Sequence, residues 1–261
     1  MAGEVLQARS FSDPTRNSRL RALTREPIRR VSEKIHTHAP SIQPNHLTLA
    51  GGLLQMAGTR IAENERGTTS PPRKKILFTA AGAKSIGYLC DGLDGGLAKF
   101  KVDRDSYYGG LLDYLVDRVE ETDAALVRAR NADTHLGKYA AYGVALTCAI
   151  PGIIRAHAEQ QGKVVPEQGT NMLEWLGTRP GRVLLDLVAT FGNNRTRVTA
   201  DVIGTTANVY SAARRFSAQS KSTETRALVP KKRREARDRR TMLSLLAATN
   251  AGLVYRAIKK S

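Results

Sequence analysis

The longest stretches of the chain without Asp, Glu, Lys or Arg contain Ala39–Thr59, Tyr139–Ile154 and Thr241–Tyr255. The first is interrupted by prolines, and the other two fall short of the roughly 20 apolar residues that a bilayer-spanning helix needs. Pro40, Pro44 and Asn45 stand ahead of the apolar, glycine-containing run Leu47–Gly52, an order that marks a helix entry. Ile76–Cys90 is rich in small residues (Ala80, Ala81, Gly82, Ala83, Gly87), which let helices approach closely. Lys84 interrupts that run, and snorkelling or a pairing within a bundle are the two explanations open for it. Tyr107–Val127 predicts a further helix. At about 100° per residue, Asp113, Asp117, Glu120, Glu121 and Asp123 fill one half of it, while Leu111, Leu115, Val119 and Leu126 favour the other. Val116 and Val127 fall on the acidic side. Such a stripe suits a polar cavity, and it equally suits a soluble helix.

The remaining segments are more polar. Arg21–Lys34 predicts a basic amphipathic helix with Leu20, Leu23, Ile28, Val31 and Ile35 on its apolar side, and Pro27 in its first turn or at a kink. Arg60–Lys75, Phe100–Ser106 and Arg128–Lys138 read as connections. Val183–Phe191 and Val202–Ala213 are short apolar pieces flanking Asn193–Arg197. Ser217–Thr223 is linker-like, Lys231–Arg240 is a basic block, and Thr241–Ile258 predicts one closing helix. No internal repeat is visible.

Composition narrows the partners. The 261 residues carry a net charge of +17 with a pI near 10.3, which favours anionic partners: nucleic acid, acidic lipid headgroups or phosphorylated substrates. Aromatic residues make up 5%, too few for a convincing single-strand stacking platform. Cys90 and Cys148 sit in apolar surroundings away from any zinc-type cluster and read as small buried residues in a reducing compartment. The start, Met-Ala-Gly-Glu-Val, lacks the basic stretch and apolar core of a signal peptide. Mean hydropathy is −0.35, so hydropathy alone does not indicate a polytopic membrane protein.

The chemistry concentrates between Asp91 and Asp117. Asp91 and Asp94 are i, i+3, and Asp113 and Asp117 are i, i+4, so each pair shares a helical face. Bare carboxylate pairs repel, and a hard dication bound through oxygen relieves them. An EF-hand is excluded by the missing 1-3-5 spacing and the missing closing Glu. A solvated acidic face fits poorly with the aliphatic neighbours and glycines. A paired-metal site acting on a phosphate fits better.

Asp91, Asp94, Gly95, Ala98, Gly109, Asp113 and Asp117 resemble the CDP-alcohol phosphatidyltransferase signature, Asp-x-x-Asp-Gly-x-x-Ala-Arg followed by Gly-x-x-x-Asp-x-x-x-Asp. Lys99 stands where that family has Arg. Pro44-Asn45-His46-Leu47-Thr48 resembles the family's first-helix opening, upstream of its nucleotide site. Arg155-Ala156-His157-Ala158-Glu159 with Gly162, and Gly177–Arg182, are similar to stretches of members that use a phosphorylated acceptor, although Gly152-Ile153 replaces Ser-Tyr there.

The resemblance implies an all-α, six-helix membrane bundle with unusually polar helices and a basic C-terminal extension. It divides the chain into a basic segment at 1–38, a helical domain at 39–215 and a basic tail with one helix at 216–261. It implies that Asp91, Asp94, Asp113 and Asp117 hold Mg²⁺ (Mn²⁺ is the alternative), and that Asp117 accepts the proton of the attacking alcohol. Gly95, Lys99, Gly109, Asn45 and Thr48 would meet the nucleotide, Lys99 as a point charge without arginine's fork. Arg155, Arg179 and Arg182 would grip an acceptor phosphate; cytoplasmic loop charge is the alternative reading.

The implied reaction moves a phosphatidyl group from a CDP-linked lipid to a polar alcohol such as inositol phosphate or glycerol phosphate, releasing CMP. The enzyme would be multi-pass in a membrane with anionic lipids, its site cytoplasmic, with a homodimer open. Two other readings stand beside it: a catalytically impaired relative, and a soluble basic helical protein that binds nucleic acid. The motifs disfavour the latter.

Overall fold

A computed structural model describes residues 19–68, 72–101, 107–163, 172–221 and 230–259, and within them every regular element is helical. The helices are α1 (Arg19–His38), α2 (Pro44–Thr68), α3 (Lys74–Leu97), α4 (Tyr107–Arg130), α5 (His135–Thr147), α6 (Ile150–Gln160), α7 (Met172–Leu176), α8 (Arg179–Phe191), α9 (Asn194–Lys221) and α10 (Pro230–Lys259). The expected all-α class is the one observed.

Helix ends follow local chemistry. Pro44 opens α2, where a missing N–H costs nothing. Thr134 caps α5 by accepting from the Gly137 amide at 3.1 Å. The uncharged run over 139–154 divides at Cys148-Ala149 into α5 and α6, with Pro151 in the first turn of α6.

Several expected boundaries shift outward. α2 runs on to Thr68, well into the stretch read as a loop from Arg60. α9 extends without a break from Asn194 through Lys221, across residue 215 and into the linker-like segment. α10 absorbs the basic block and closing helix into one 30-residue element. α1 encloses Pro27 in its interior rather than its first turn. The extension of α2 runs through charged residues that look like loop in a hydropathy reading, although Glu63 and Glu65 are buried. On α1, hydrogen bonds from Arg29 and Arg30 lower the Glu26 carboxyl to about 2.

The tightest packing joins α2 to α3. A Cβ added at Gly51 would lie 2.8 Å from the Gly87 carbonyl oxygen, and one at Gly58 would lie 2.6 Å from that of Ala80. Only residues without a side chain allow backbones this close. α1 lies across the end of α3: buried Ser32 donates to the Leu93 carbonyl at 3.3 Å, and a Cβ at Gly96 would strike Ser32.

Much of the interior is built of small and charged residues, and many large apolar side chains face outward. Buried positions include Ala80, Ala125, Ala129, Ala145 and Ala156, whereas Leu53, Phe78, Ile86, Leu89 and Val209 are exposed. Lys84 finds its explanation here. It pairs with Asp186 of α8 and donates to Thr59 at 2.8 Å. Asp186 also accepts from Tyr88 at 2.8 Å and from Arg128 at 3.0 Å, and Arg128 meets Asp201 at 2.9 Å. Arg197 pairs with buried Glu63 at 2.5 Å.

Candidate active site

The C-terminal end of α3 delivers Asp91 and Asp94, the first half of α4 delivers Asp113 and Asp117, and α8 begins at Arg179 beside them. Helical spacing fixes each pair on one face; the antiparallel course of α3 and α4 then brings the faces together. Oxygens of Asp91, Asp94 and Asp113 all lie within 4.8 Å of one another. That is near the span of ligands about one hard ion, whose bonds run about 2.1–2.5 Å.

Asp117 joins through Arg179. One guanidinium nitrogen bonds both Asp91 and Asp117, the latter at 2.6 Å, and the other stands 3.6 Å from Asp113. Arg179, assigned from the sequence to an acceptor phosphate, thus sits among the carboxylates. Asp94 accepts a hydrogen bond from Thr48, which anchors the start of α2 to the same point.

The donor set fits a divalent ion. It is all oxygen and anionic, and Asp113 Oδ1 is buried with no hydrogen-bond donor. Hard cations take such ligands, and Mg²⁺ or Mn²⁺ suits a phosphate-bearing substrate.

Behind the aspartates lies a relay of arginines. Glu121 accepts from Arg182 and from Arg118, each at 2.6 Å, while Arg182 also reaches the Gly177 carbonyl at 2.5 Å. Arg118 bonds the Cys148 carbonyl at 3.0 Å, so it ties α4 to the joint between α5 and α6. Arg155, farther along α6, pairs with Glu159 at 2.8 Å. Arg215 of α9 lies within electrostatic reach of Arg155, Arg182 and Arg118 and donates to the Pro151 carbonyl at 3.0 Å. Arg155 and Arg182 therefore belong to one basic cluster, and Arg179 stands apart from it on the aspartates. Arg118, Glu121 and Arg215 were not assigned from the sequence. The arginine pair closing the last apolar run, Arg214-Arg215, was the available signal for one of them.

The other expected nucleotide residues occupy the same end of the bundle. Gly95 is exposed, and a Cβ there would meet nothing within 4 Å. Lys99 is exposed just past the end of α3, and Asn45 lies in the first turn of α2. Gly109 lies in the first turn of α4. A cavity of about 50 Å³ extends from Asp117 and Arg179 into the bundle, lined also by Glu120, Glu121, Asp186 and Asp201. Asp117, Glu120 and Glu121 of α4 thus face an internal space, where the Gln55 amide, turned with its nitrogen toward Glu120, would donate to it at 3.0 Å.

No family model matches the chain, and no curated protein matches it either. The structure does have a counterpart. Phosphatidylinositol phosphate synthase (PgsA1) from Mycobacterium tuberculosis, in a crystal structure with CDP-DAG bound, matches with a TM-score of 0.57 at 18% identity. The match covers 78% of this chain and 100% of that one. At that identity the likeness establishes the fold. It is a fold of the family whose signature the Asp91–Asp117 stretch resembles.

Proposed function

We propose that the chain is a metal-dependent membrane enzyme that transfers a phosphatidyl group from CDP-diacylglycerol to an alcohol and releases CMP. One observation carries this reading: the four signature aspartates converge from two helices in the fold of an enzyme solved with CDP-DAG bound.

Asp91, Asp94, Asp113 and Asp117 would hold Mg²⁺, or Mn²⁺ in its place, and the bound ion would supply charge stabilisation to the substrate pyrophosphate. The alcohol oxygen forms a bond to the phosphatidyl phosphorus, the bond from that phosphorus to the CMP oxygen breaks, and the alcohol proton passes to an Asp117 oxygen. Thr48 orients Asp94. Asn45, Gly95, Lys99 and Gly109 flank the nucleotide, with open space at Gly95 for a close approach. Arg155 and Arg182, with Arg215 beside them, take a phosphorylated acceptor. Arg179 reaches that acceptor when it leaves the aspartates.

The membrane placement rests on the inverted distribution of side chains. Many charged groups face inward in pairs, as intramembrane charges do, and many large apolar side chains, Leu53, Phe78 and Val209 among them, face outward. The α5–α6 stretch, His135–Gln160, is long and apolar enough to cross a bilayer by length and composition. We read α2, α3, α4, α5–α6, α8 and α9 as the six spans, with the uncharged part of α10 lying against α4 and α5 in the same layer. At about 1.5 Å per residue α2, α3 and α4 reach roughly 36 Å, enough for a hydrocarbon core of about 30 Å. α8 is shorter, and α7 precedes it. We take the site end to be cytoplasmic, as the family resemblance implies.

Purified protein with Mg²⁺, CDP-diacylglycerol and a panel of inositol phosphate, glycerol phosphate, serine and inositol tests the reading. CMP release with one of the phosphorylated acceptors, lost in Asp117→Asn, is expected. No CMP with any acceptor, from folded protein, would favour an inactive relative. Release of the chain from membranes by high salt alone would favour the soluble reading.

A further inference from the structure

Apart from the aspartates, α6, α9 and the middle of α10 border an open groove on the surface of the bundle. Ile153 and Ile154 of α6, Phe216 of α9 and Leu245 of α10 form its apolar walls, and His157 and Arg240 line it as well. Phe216 and Leu245 are 63% and 61% exposed, in keeping with the other outward-facing apolar side chains of the bundle.

The sequence of α10 changes character at this groove. Residues 231–240 are dominated by Lys and Arg, and residues 241–255 carry no charge. Arg240 is thus the last cation before an apolar run, the order in which a helix passes from lipid headgroups to acyl chains. Its neighbour Arg239 is engaged: it pairs with Glu159 at 3.0 Å and lies 4.5 Å over the Tyr114 ring. Arg240 instead donates to His157 Nδ1 at 2.8 Å, and among the described residues it meets no carboxylate. A guanidinium bonded to a ring nitrogen and not to a carboxylate keeps further N–H donors. Apolar walls that end at an unneutralised, forked donor match a phosphate joined to a hydrocarbon chain.

We propose that this groove binds one anionic phospholipid, with its phosphate on Arg240 beside His157 and an acyl chain along Ile153, Ile154, Phe216 and Leu245. The proposal rests on the membrane placement above and not on the transfer reaction. A zwitterionic lipid would bring its own ammonium toward Arg240 and bind less well. Arg239, one residue away, links α10 to α6 and to the residue after Asp113, so the bound lipid would lie close to the active end of the bundle.

Native mass spectrometry of the full chain in mild detergent, with phosphatidylglycerol or phosphatidylcholine added, tests it. Retention of one phosphatidylglycerol per chain in preference to phosphatidylcholine is expected. Arg240→Gln and Leu245→Asp should each weaken retention about tenfold, and Arg240→Lys should weaken it less. Arg237→Gln, in the same basic block but exposed and beside Asp238, should leave retention unchanged. Equal retention of the two lipids, or equal losses from Arg240→Gln and Arg237→Gln, would overturn the proposal in favour of diffuse charge. Thermal unfolding of each variant separates a lost lipid site from a lost fold. CMP release assayed on the same samples keeps the two ideas apart: selective lipid retention without CMP release sinks only the transferase, and the converse sinks only the groove.

Discussion

Lys84 and Asp186 offer the sharpest test of how a bundle with charged helices holds together. The Lys84 side chain is 1% exposed and that of Asp186 14%, so neither partner can turn to water when the other is removed. Truncating one member of a buried pair costs about 3–5 kcal/mol, because the survivor stays buried and uncompensated. Lys84→Met leaves Asp186 with Arg128 and Tyr88, which places the loss near the lower bound. Asp186→Leu leaves Lys84 with the Thr59 hydroxyl alone, while Arg128 keeps Asp201, which places it near the upper bound. For chains of 150–250 residues about 2–4 °C of Tm accompanies each kcal/mol, so the single variants should melt about 6–20 °C lower. Combining the two removes both charges, and the double variant should recover more than half of the summed loss. Thermal unfolding in detergent, run as a double-mutant cycle, reads this directly. Shifts below about 2 °C, or losses that simply add, would refute the claim that this pair organises the interior.

Three further outcomes follow from the site and the packing. Arg179 competes with a cation for Asp91, Asp113 and Asp117, so Arg179→Ala should tighten Mn²⁺ binding about tenfold by calorimetry; weaker binding would mean that the arginine supports the ion instead. Thr48→Val removes the hydrogen bond to Asp94 and should lower CMP release about tenfold, whereas Thr48→Ser should retain most of it. Gly87→Leu places a side chain where a Cβ already lies 2.7 Å from the Gly51 carbonyl, and it should destabilise by at least about 1–3 kcal/mol. Gly82→Ala on the same helix, with nothing within 4 Å, should leave Tm unchanged or raise it.

What could be read from the sequence was whatever helix geometry sets locally. Spacings of three and four put each aspartate pair on one face, and the glycines and alanines around Lys84 pointed to a close helix neighbour. The acidic half of α4 suited a polar cavity and a soluble helix equally, and Asp117, Glu120 and Glu121 line a cavity inside the bundle. Pairings between distant residues were out of reach. Nothing near Lys84 names Asp186, and nothing near Glu121 names Arg182. Hydropathy misjudged α9 and α10 because their charged turns extend helices that average out as polar. It also undervalued the bundle as a membrane candidate, because the charges that lower its score face inward in pairs. Arg179 carried a plausible phosphate role by position, yet its nearest anions belong to the chain itself.

The most direct test of the account is CMP release from CDP-diacylglycerol by purified wild-type protein and by Asp113→Asn, each with Mg²⁺ and then with EDTA. The account expects release from the wild type, arrest by EDTA, recovery on adding Mg²⁺ back, and none from a folded Asp113→Asn protein. CMP release that persists in EDTA, or that survives the loss of Asp113, would contradict it.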